Sequence, residues 1–290
     1  MNILITGSSG QLGSEIRFLK SSFPEHNFFF TDAKELDISN KRTVEDFVIK
    51  NRIDSVINCA AYTAVDKAES EPELADKINH VAVQFLAEIA KKHGVRLVHI
   101  STDYVFNGET FRPYAVDHPT NPINVYGETK LNGENALKEI NPKNSTIIRT
   151  SWVYSSFGNN FVKTMLRLGK EREELNVISD QIGVPTYARD LAKFILKNAL
   201  NIQNETVSVY HFTNEGVCSW YDFAQEIMEL GKVKCKVNPI PTSAYPTPAK
   251  RPFYSLMDKT TLKEDFGVEI PYWKDSLKKC IFGNAIGFKL

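Results

Sequence analysis

The chain has 290 residues, and its 35 basic and 35 acidic side chains give a formal net charge of zero, so no nucleic-acid partner is expected. The four scattered cysteines lack a CxxC pair and the six histidines lack HxxH or HExxH spacing, which argues against a disulfide framework and a metal site. No apolar run approaches the roughly 18 residues of a membrane span and no basic leader precedes the first apolar residues, so we expect a cytoplasmic protein without a membrane partner.

The first half of the chain alternates short apolar runs with longer stretches of helical periodicity. The apolar runs are rich in Ile, Val and Phe and predict strands at 2–6, 27–31, 55–59, 96–100 and 145–149. The stretches between them predict helices near 11–20, 41–51, 73–92 and 126–140. The strand runs do not alternate strictly, which is typical of strands buried on both faces. Repeated strand–helix–strand units therefore predict an α/β fold with a doubly wound parallel sheet.

The second half mixes helices with proline-rich connections. Helices are predicted near 159–170, 188–200 and 220–230. Five prolines cluster between positions 239 and 252, and such a segment can be neither a regular helix nor a central strand. Its apolar and aromatic content predicts an ordered loop packed on a site.

A glycine-rich turn follows the first predicted strand at once and opens the first predicted helix. Its glycines, Gly7, Gly10 and Gly13, have the spacing GxxGxxG. Gly7 permits a tight turn, Gly10 lets backbone amides approach a pyrophosphate, and Gly13 lets the helix pack closely on the strand. The helix N-terminus adds a partial positive charge. The turn therefore predicts a Rossmann-type site for a dinucleotide.

Asp32 lies just after the second predicted strand. A carboxylate at this place accepts hydrogen bonds from the adenosine ribose and favours NAD, although a plain turn residue ending the strand is the alternative. Lys34 is close enough to offer a cation to a 2′-phosphate, so NADH and NADPH both stay open as cofactors. Asp37 and Ile38 are predicted to flank the adenine.

Tyr126 and Lys130 lie one helical turn apart on one face of a predicted helix. A YxxxK match alone is weak evidence, but the fourth predicted strand ends near Thr102, and ligands of such sheets bind at the carboxyl ends of the strands. We expect Lys130 to lower the pKa of the Tyr126 phenol and to hold the nicotinamide ribose, while Thr102 binds the substrate oxygen. These residues predict hydride transfer between a nicotinamide and a secondary alcohol or ketone, with Tyr126 as the proton donor.

Several stretches together resemble the extended short-chain dehydrogenases/reductases and, among them, the bacterial dTDP-4-dehydrorhamnose reductases. The early stretches are GSSGQLG at 7–13, NCAAYTAVDKAE at 58–69, STDYVF at 101–106 and YGETK at 126–130. The later ones are RTSWVY at 149–154, GNNF at 158–161 and AYPTPAKRP at 244–252. The resemblance covers nearly the whole chain and weakens in the last dozen residues.

The resemblance implies reduction of the C4 ketone of dTDP-4-dehydro-L-rhamnose to dTDP-L-rhamnose, a step in making a sugar donor for cell-surface polysaccharides. It implies cofactor contacts along the carboxyl ends of the strands, at Gly10, Gln11, Leu12, Ala61, Tyr62, Thr63, Ile100, Tyr126 and Lys130. It implies contacts with the sugar nucleotide at Thr102, Asp103, Trp152 and Arg251. Trp152 could equally be a core residue, and Arg251 could equally be a solvated one.

The resemblance also implies a division of the chain. We expect a dinucleotide-binding domain over 1–150, completed by a helix and a strand from about 186–213. A smaller, mixed C-terminal domain for the substrate is expected over about 151–185 and 214–290. We expect either a monomer or a homodimer.

One feature of the family is not expected here. Some members are dimers joined through Mg²⁺ held by acidic residues, and Glu15 and Asp190 are candidates for part of such a site. The tail at 286–290 has no carboxylate side chain, whereas Mg²⁺ requires clustered oxygens. Mg²⁺ is therefore possible but not predicted.

Three other functions share this fold. A sugar-nucleotide epimerase would retain its cofactor and show no net oxidation of it. A dehydratase places an acid after the Thr-Asp pair, where this chain has Tyr104. A non-catalytic regulatory subunit of the same fold would not need Thr102, Tyr126 and Lys130 together.

Overall fold

The computed structural model describes residues 1–283, and twelve strands can be listed in chain order. They are β1 (Asn2–Thr6), β2 (Asn27–Thr31), β3 (Ser55–Asn58), β4 (Arg96–Thr102), β5 (Thr146–Thr150), β6 (Val153–Tyr154), β7 (Glu174–Ile178), β8 (Ile182–Gly183), β9 (Thr186–Tyr187), β10 (Ser208–His211), β11 (Cys218–Ser219) and β12 (Lys236–Ile240).

The helices alternate with these strands in the first half and dominate the last third. They are α1 (Gln11–Leu19), α2 (Lys41–Lys50), α3 (Val65–Ala68), α4 (Pro72–Asp76), α5 (Ala82–His93), α6 (Val125–Ile140), α7 (Phe161–Glu171), α8 (Ala188–Lys197), α9 (Trp220–Leu230), α10 (Thr260–Phe266) and α11 (Trp273–Phe282). Within residues 1–283, no helix combines the length and the apolar character needed to cross a membrane.

Six strands form a parallel sheet in the order β2-β1-β3-β4-β5-β10. The five strands predicted for the first half are confirmed, with small shifts at their ends, and so is the α/β class. The strand order reverses between β1 and β3, which opens a crevice at the carboxyl ends of these two strands. The glycine turn follows β1, so the topology places it at this crevice.

The sheet is buried on both faces, as its apolar strands predict. In β1, Ile3 and Ile5 pack with residues of α1 and α8 on one face, whereas Leu4 packs with α2 and α5 on the other. All three side chains are fully buried. The two helical layers therefore hold β1 in a fixed position, and the turn that follows it is rigidly anchored.

The helix predicted near 73–92 differs from a regular helix. It contains α4, a π-helical turn over Lys77–Val81, and α5. The π turn contains Asn79, whose side chain bonds the backbone N–H and C=O of Tyr62 at 2.8 and 3.1 Å and the Thr129 hydroxyl at 3.1 Å. Asn79 thus ties the loop after β3 to α6, and π turns are frequent at functional sites.

A second apolar core lies outside the sheet. It is built on α7, α9 and α11, and its buried residues include Phe223, Ile227 and Trp273. The parallel pair β7 and β12 covers one side of it, and the proline-rich loop begins within β12 at Pro239. In contrast, α8 packs on α1, and β10 pairs with β5 in the main sheet.

Candidate active site

One cleft of about 1120 Å³ runs along the carboxyl ends of the main sheet toward the second core. The glycine turn, Asp32, Tyr126, Lys130 and Trp152 all line it. Of the predicted site residues, the cleft lining includes Gly7, Gly10, Gln11, Leu12, Asp32, Asp37, Ile38, Ala61, Thr63, Ile100, Thr102, Asp103, Tyr126, Lys130 and Trp152. Its volume slightly exceeds the usual range for a single small ligand, which suits two ligands lying end to end.

The glycine turn requires glycine at two of its positions. Gly7 has φ +61°, and a Cβ there would lie 2.7 Å from the backbone of Ala60 at the end of β3. A Cβ on Gly13 would lie 2.6 Å from Ser8 Cα, so the start of α1 packs directly on the turn. Gly10 is the N-cap of α1 and lines the cleft. The backbone amides at the start of such a helix can bind a phosphate group.

Charges of both signs lie around Asp32, where Lys34 also lines the cleft. The Asp32 carboxylate accepts hydrogen bonds from the Ser9 amide at 2.9 Å and from the Ser8 hydroxyl at 3.4 Å. Arg17 donates to the Ser8 hydroxyl at 3.0 Å, and its guanidinium stacks on Phe30 with 4.1 Å between the guanidinium carbon and the ring centre. This arrangement does not distinguish NADH from NADPH as the cofactor.

Helix α6 carries Tyr126 and Lys130 into the middle of the cleft. Its N-cap, Asn124, accepts a hydrogen bond from the Gly127 amide at 2.7 Å. Gly127 lies directly against the carbonyl of Tyr104, so no larger residue fits there without moving the helix. This close packing brings the phenol of Tyr126 beside Thr102 at the end of β4.

The expected lowering of the Tyr126 pKa by Lys130 is wrong for this structure. Burial raises the pKa of Tyr126 to about 12, and only the neighbouring Thr102 hydroxyl lowers it in part. The Lys130 amino group points instead to the carbonyl of Ile100 at 2.7 Å and to the ring of His99 at 3.3 Å. Tyr126 therefore keeps its proton at neutral pH and can act as a proton donor.

Burial shifts two other titratable groups in the cleft toward their neutral forms. It lowers the pKa of Lys130 to about 8, although Glu134 one turn along α6 raises it in part. It raises the pKa of Asp103 to about 6, against hydrogen bonds that include one from the Thr102 hydroxyl at 3.0 Å. Perturbed pKa values of this kind are concentrated at functional sites.

An aromatic pair forms the far end of the cleft. The indoles of Trp152 and Trp220 stack with 3.8 Å between ring centres and 15° between planes, and Phe161 lies 4.7 Å from Trp220. Trp152 has φ +47°, a backbone conformation that bulky residues rarely adopt. The stack presents flat apolar surface and indole N–H groups to a ligand.

The chain has similar sequences and structures among known proteins. Residues 1–284 match the family described as the RmlD substrate binding domain. The dTDP-4-dehydrorhamnose reductase of Escherichia coli (strain K12) is 42% identical over 294 residues, covering 97% of each chain. The chain belongs to the dTDP-4-dehydrorhamnose reductase family.

Solved structures of this family have the same fold. A crystal structure of a dTDP-4-dehydrorhamnose reductase from Clostridium acetobutylicum is 46% identical, with a TM-score of 0.91 over 97% of this chain and 98% of that one. Another, from Bacillus anthracis in complex with NADP, is 40% identical, with a TM-score of 0.92 over 98% of this chain and 99% of that one.

Two site residues implied by the family resemblance lie elsewhere than expected. The Tyr62 hydroxyl donates to Glu71 at 2.7 Å, and Tyr62 is absent from the cleft lining, in contrast to Ala61 and Thr63 beside it. Arg251 pairs through two nitrogens with the Asp66 carboxylate at 2.8 and 3.0 Å and is likewise absent from the lining. Its contact with a diphosphate stays a prediction.

The carboxylates considered for Mg²⁺ are occupied by other partners. Glu15 is fully buried, pairs with Arg189 at 2.7 Å, and accepts from the Ser155 hydroxyl at 2.6 Å. Asp190 accepts from Asn214 at 3.0 Å. Residues 1–283 contain no cluster of three His, Cys, Asp or Glu side chains placed to hold a metal ion, and the tail at 286–290 lies outside the described residues.

Two residues of the cleft lining and one contact of the glycine turn escaped the sequence interpretation. Trp220 and Phe161 line the cleft, but they were recognised only as parts of predicted helices. Gln11 was predicted as a pyrophosphate contact, yet its amide also donates to the Val153 carbonyl at 3.1 Å and accepts from Asn160 at 3.0 Å. No local sequence pattern predicts a contact between the glycine turn and the distant segment that contains Val153 and Asn160.

Proposed function

We propose that this chain reduces the C4 ketone of dTDP-4-dehydro-L-rhamnose to dTDP-L-rhamnose, with NADH or NADPH as cofactor. One observation carries the proposal: a single cleft is lined by the glycine turn, by Tyr126, Lys130 and Thr102, and by the Trp152–Trp220 stack. A dinucleotide and a sugar nucleotide laid end to end would meet at the phenol. The names of the relatives, and the NADP bound to one of them, support this reaction.

The residues of the cleft fit the cofactor. The amides at the start of α1 would bind the pyrophosphate, Asp32 would accept from the adenosine ribose, and Asp37 and Ile38 would flank the adenine. Ala61, Thr63 and Ile100 would line the nicotinamide half, and Lys130 would donate to its ribose. The bound nicotinamide supplies the hydride that reduces the ketone carbon.

The proton for the sugar oxygen comes from Tyr126 in this proposal. The pKa of Tyr126, about 12, keeps the phenol protonated at neutral pH, so it can donate when the ketone oxygen becomes negative. Thr102 would donate to the same oxygen after turning from Asp103, and Lys130, whose amino group lies against Ile100 and His99, would act by holding the nicotinamide ribose beside the phenol. The burial of these groups strengthens each of these interactions, because little water competes for the charges.

The far end of the cleft would select the sugar nucleotide. The face of Trp152, backed by Trp220, would bind the apolar side of the sugar, and Asp103 would accept from its hydroxyl groups. Arg251 would bind the diphosphate only after leaving Asp66, because both carboxylate oxygens now hold its guanidinium.

The organisation of the chain in this proposal follows the two cores. The cofactor domain would span 1–150 together with about 186–213, and the substrate domain about 151–185 and 214–290. We infer a cytoplasmic enzyme that acts on a sugar nucleotide as a monomer or a homodimer.

The reaction can be tested with freshly prepared dTDP-4-dehydro-L-rhamnose. We expect oxidation of NADPH or NADH in proportion to the dTDP-L-rhamnose formed, measured by absorbance and by chromatography of the sugar nucleotide. An epimerase would change the sugar without net oxidation of the cofactor. If neither cofactor is oxidised while the protein is folded, the proposal fails.

A further inference from the structure

A chain of buried polar side chains crosses the main sheet beneath Lys130. The Thr6 hydroxyl on β1 donates to Asn58 Oδ1 on β3 at 2.7 Å, and Asn58 Nδ2 lies 3.1 Å from His99 Nδ1 on β4. The other ring nitrogen, His99 Nε2, lies 3.3 Å from the Lys130 amino nitrogen. No side chain of the four is more than 2% exposed.

Such a chain is costly unless each member is paired, because buried polar groups lose their hydrogen bonds to water. Its neighbours on these strands, such as Ile5, Ile57 and Val98, are apolar core residues. The polar positions of three adjacent strands instead form one line, and that line ends at the amino group of Lys130. This end point indicates a function beyond packing.

The hydrogen-bond directions in this chain depend on the protonation of Lys130. Asn58 Nδ2 faces His99 Nδ1, and if it donates there, the imidazole proton is on Nε2 and faces the lone pair of a neutral Lys130 amine. If the amide of Asn58 turns over, His99 Nδ1 donates to its oxygen and Nε2 accepts from an ammonium. An amide fills the same space in both orientations, so the change needs no repacking.

We propose that His99 is a positioning residue for the reaction: held by Asn58, it fixes the Lys130 amino group against the Ile100 carbonyl, and its tautomer changes with the charge of Lys130. The inference rests on the proposed function, because Lys130 matters here through its role beside Tyr126.

His99 itself stays neutral throughout this change. Burial and the nearby Lys130 hold the pKa of His99 well below its usual range. Other titratable groups surround the pair on the neighbouring strands and on α6: Cys59, Asp103, Tyr126, Glu134 and Arg149. Of these, Glu134 is paired with Arg149 at 2.8 Å and raises the pKa of Lys130, against the larger effect of burial.

The first test compares the pH profiles of wild type and His99→Phe. The phenyl ring keeps the volume but offers no acceptor, so the ammonium of Lys130 is less stable. We expect the alkaline limb of kcat/KM for the cofactor to move to lower pH by about 0.5 unit or more. We also expect kcat to fall by about 10-fold. His99→Gln, whose amide oxygen can accept from Lys130, should recover part of both losses.

Val98→Ala is the matched control, because Val98 is buried beside His99 on β4 and belongs to the apolar core between the sheet and α8. It should lower thermal stability while leaving the alkaline limb where it is in wild type. If the alkaline limb of kcat/KM and the value of kcat are the same in His99→Phe as in wild type, the proposal is overturned.

The second test measures the wild-type chain directly. Nitrogen-15 NMR of the histidine-labelled full chain distinguishes the two neutral tautomers, and the His99 signal is assigned by its loss in His99→Gln or by its through-space contacts. We expect the Nδ1–H form below about pH 8, the pKa of Lys130, and the Nε2–H form above it. A tautomer that stays constant across this range overturns the proposal. This result is independent of turnover, so it separates failure of this inference from failure of the proposed function.

Discussion

Three titratable side chains line the cleft, those of Tyr126, Asp103 and Lys130, and desolvation shifts each toward its neutral form. The pKa of Tyr126 rises to about 12, that of Asp103 rises to about 6, and that of Lys130 falls to about 8. At pH 7 the site therefore contains a protonated phenol, a carboxylate and an ammonium. This set suits a reduction, in which a proton must be given to an oxygen that gains negative charge.

Replacing Tyr126 by Phe tests the proton donor directly. The ring is kept and only the hydroxyl is lost, so we expect kcat to fall by at least ~10²-fold with little change in cofactor binding. Steady-state rates and cofactor titration by fluorescence would measure the two effects. Tyr62→Phe is the matched control, because its hydroxyl binds Glu71 outside the cleft lining and its loss should leave kcat nearly unchanged.

The activity should fall as the pH rises through about 8. Burial lowers the pKa of Lys130 to that value, so the ammonium is lost above it, whereas Tyr126 keeps its proton until about 12. The pH profile of kcat/KM for the cofactor reports this group in the free enzyme. Lys130→Met should be slow at every pH and lack this limb, and an identical limb in that variant would contradict the assignment.

Sequence patterns predicted which residues meet at this centre but not their protonation. The spacing of Tyr126 and Lys130 is a local pattern that places both on one face of a helix. The end of β4 near Thr102 could be predicted from the apolar run of that strand. The pKa of Tyr126, however, depends on how deeply α6 packs against the chain after β4, which the motif does not contain. For the same reason His99 was not recognised, since its partners Asn58 and Lys130 lie on β3 and α6.

Among the elements, the turn between β1 and α1 is packed tightly against the end of β3. Gly7 combines a positive φ with a Cβ position 2.7 Å from the backbone of Ala60. The strands around it were predictable because both faces are buried, which produces uninterrupted apolar runs. The π turn between α4 and α5 was not, because its apolar periodicity differs little from that of a regular helix.

Gly7→Ala should destabilise the fold and weaken cofactor binding. Backbone strain and the contact with Ala60 together should lower the free energy of unfolding by roughly 2–5 kcal/mol. Gly94→Ala is the matched control, since Gly94 also has a positive φ, +67°, but nothing lies within 4 Å of its Cβ position. We expect it to cost about 1 kcal/mol, from strain alone. Equal losses in thermal or denaturant unfolding would contradict the close contact at Gly7.

At the scale of the whole molecule, the cleft depends on two separate cores meeting along one edge of the sheet. Trp152 follows β5 of the main sheet, whereas Trp220 begins α9 of the second core. Gln11 joins the glycine turn to the segment that contains Val153. Sequence patterns predicted Trp152 through the family resemblance, but the stack with Trp220 arises only from tertiary packing.

Trp220→Ala should weaken binding of the sugar nucleotide while sparing the cofactor. Without its partner, the Trp152 indole is no longer held flat, so we expect KM for the sugar nucleotide to rise roughly 10-fold. KM for NADPH should change little, and Trp220→Phe should keep most of the affinity. If both KM values of Trp220→Ala rise equally, the stack does not belong to the sugar end of the cleft.

The most direct measurement uses a cofactor deuterated at the transferable position of the nicotinamide. Wild-type protein, deuterated NADPH or NADH and dTDP-4-dehydro-L-rhamnose are combined, and the sugar nucleotide is analysed by NMR and mass spectrometry. We predict dTDP-L-rhamnose with one deuterium, bonded to C4, in an amount equal to the oxidised cofactor. A product without deuterium, or with deuterium at another carbon, would contradict reduction of the C4 ketone in this cleft.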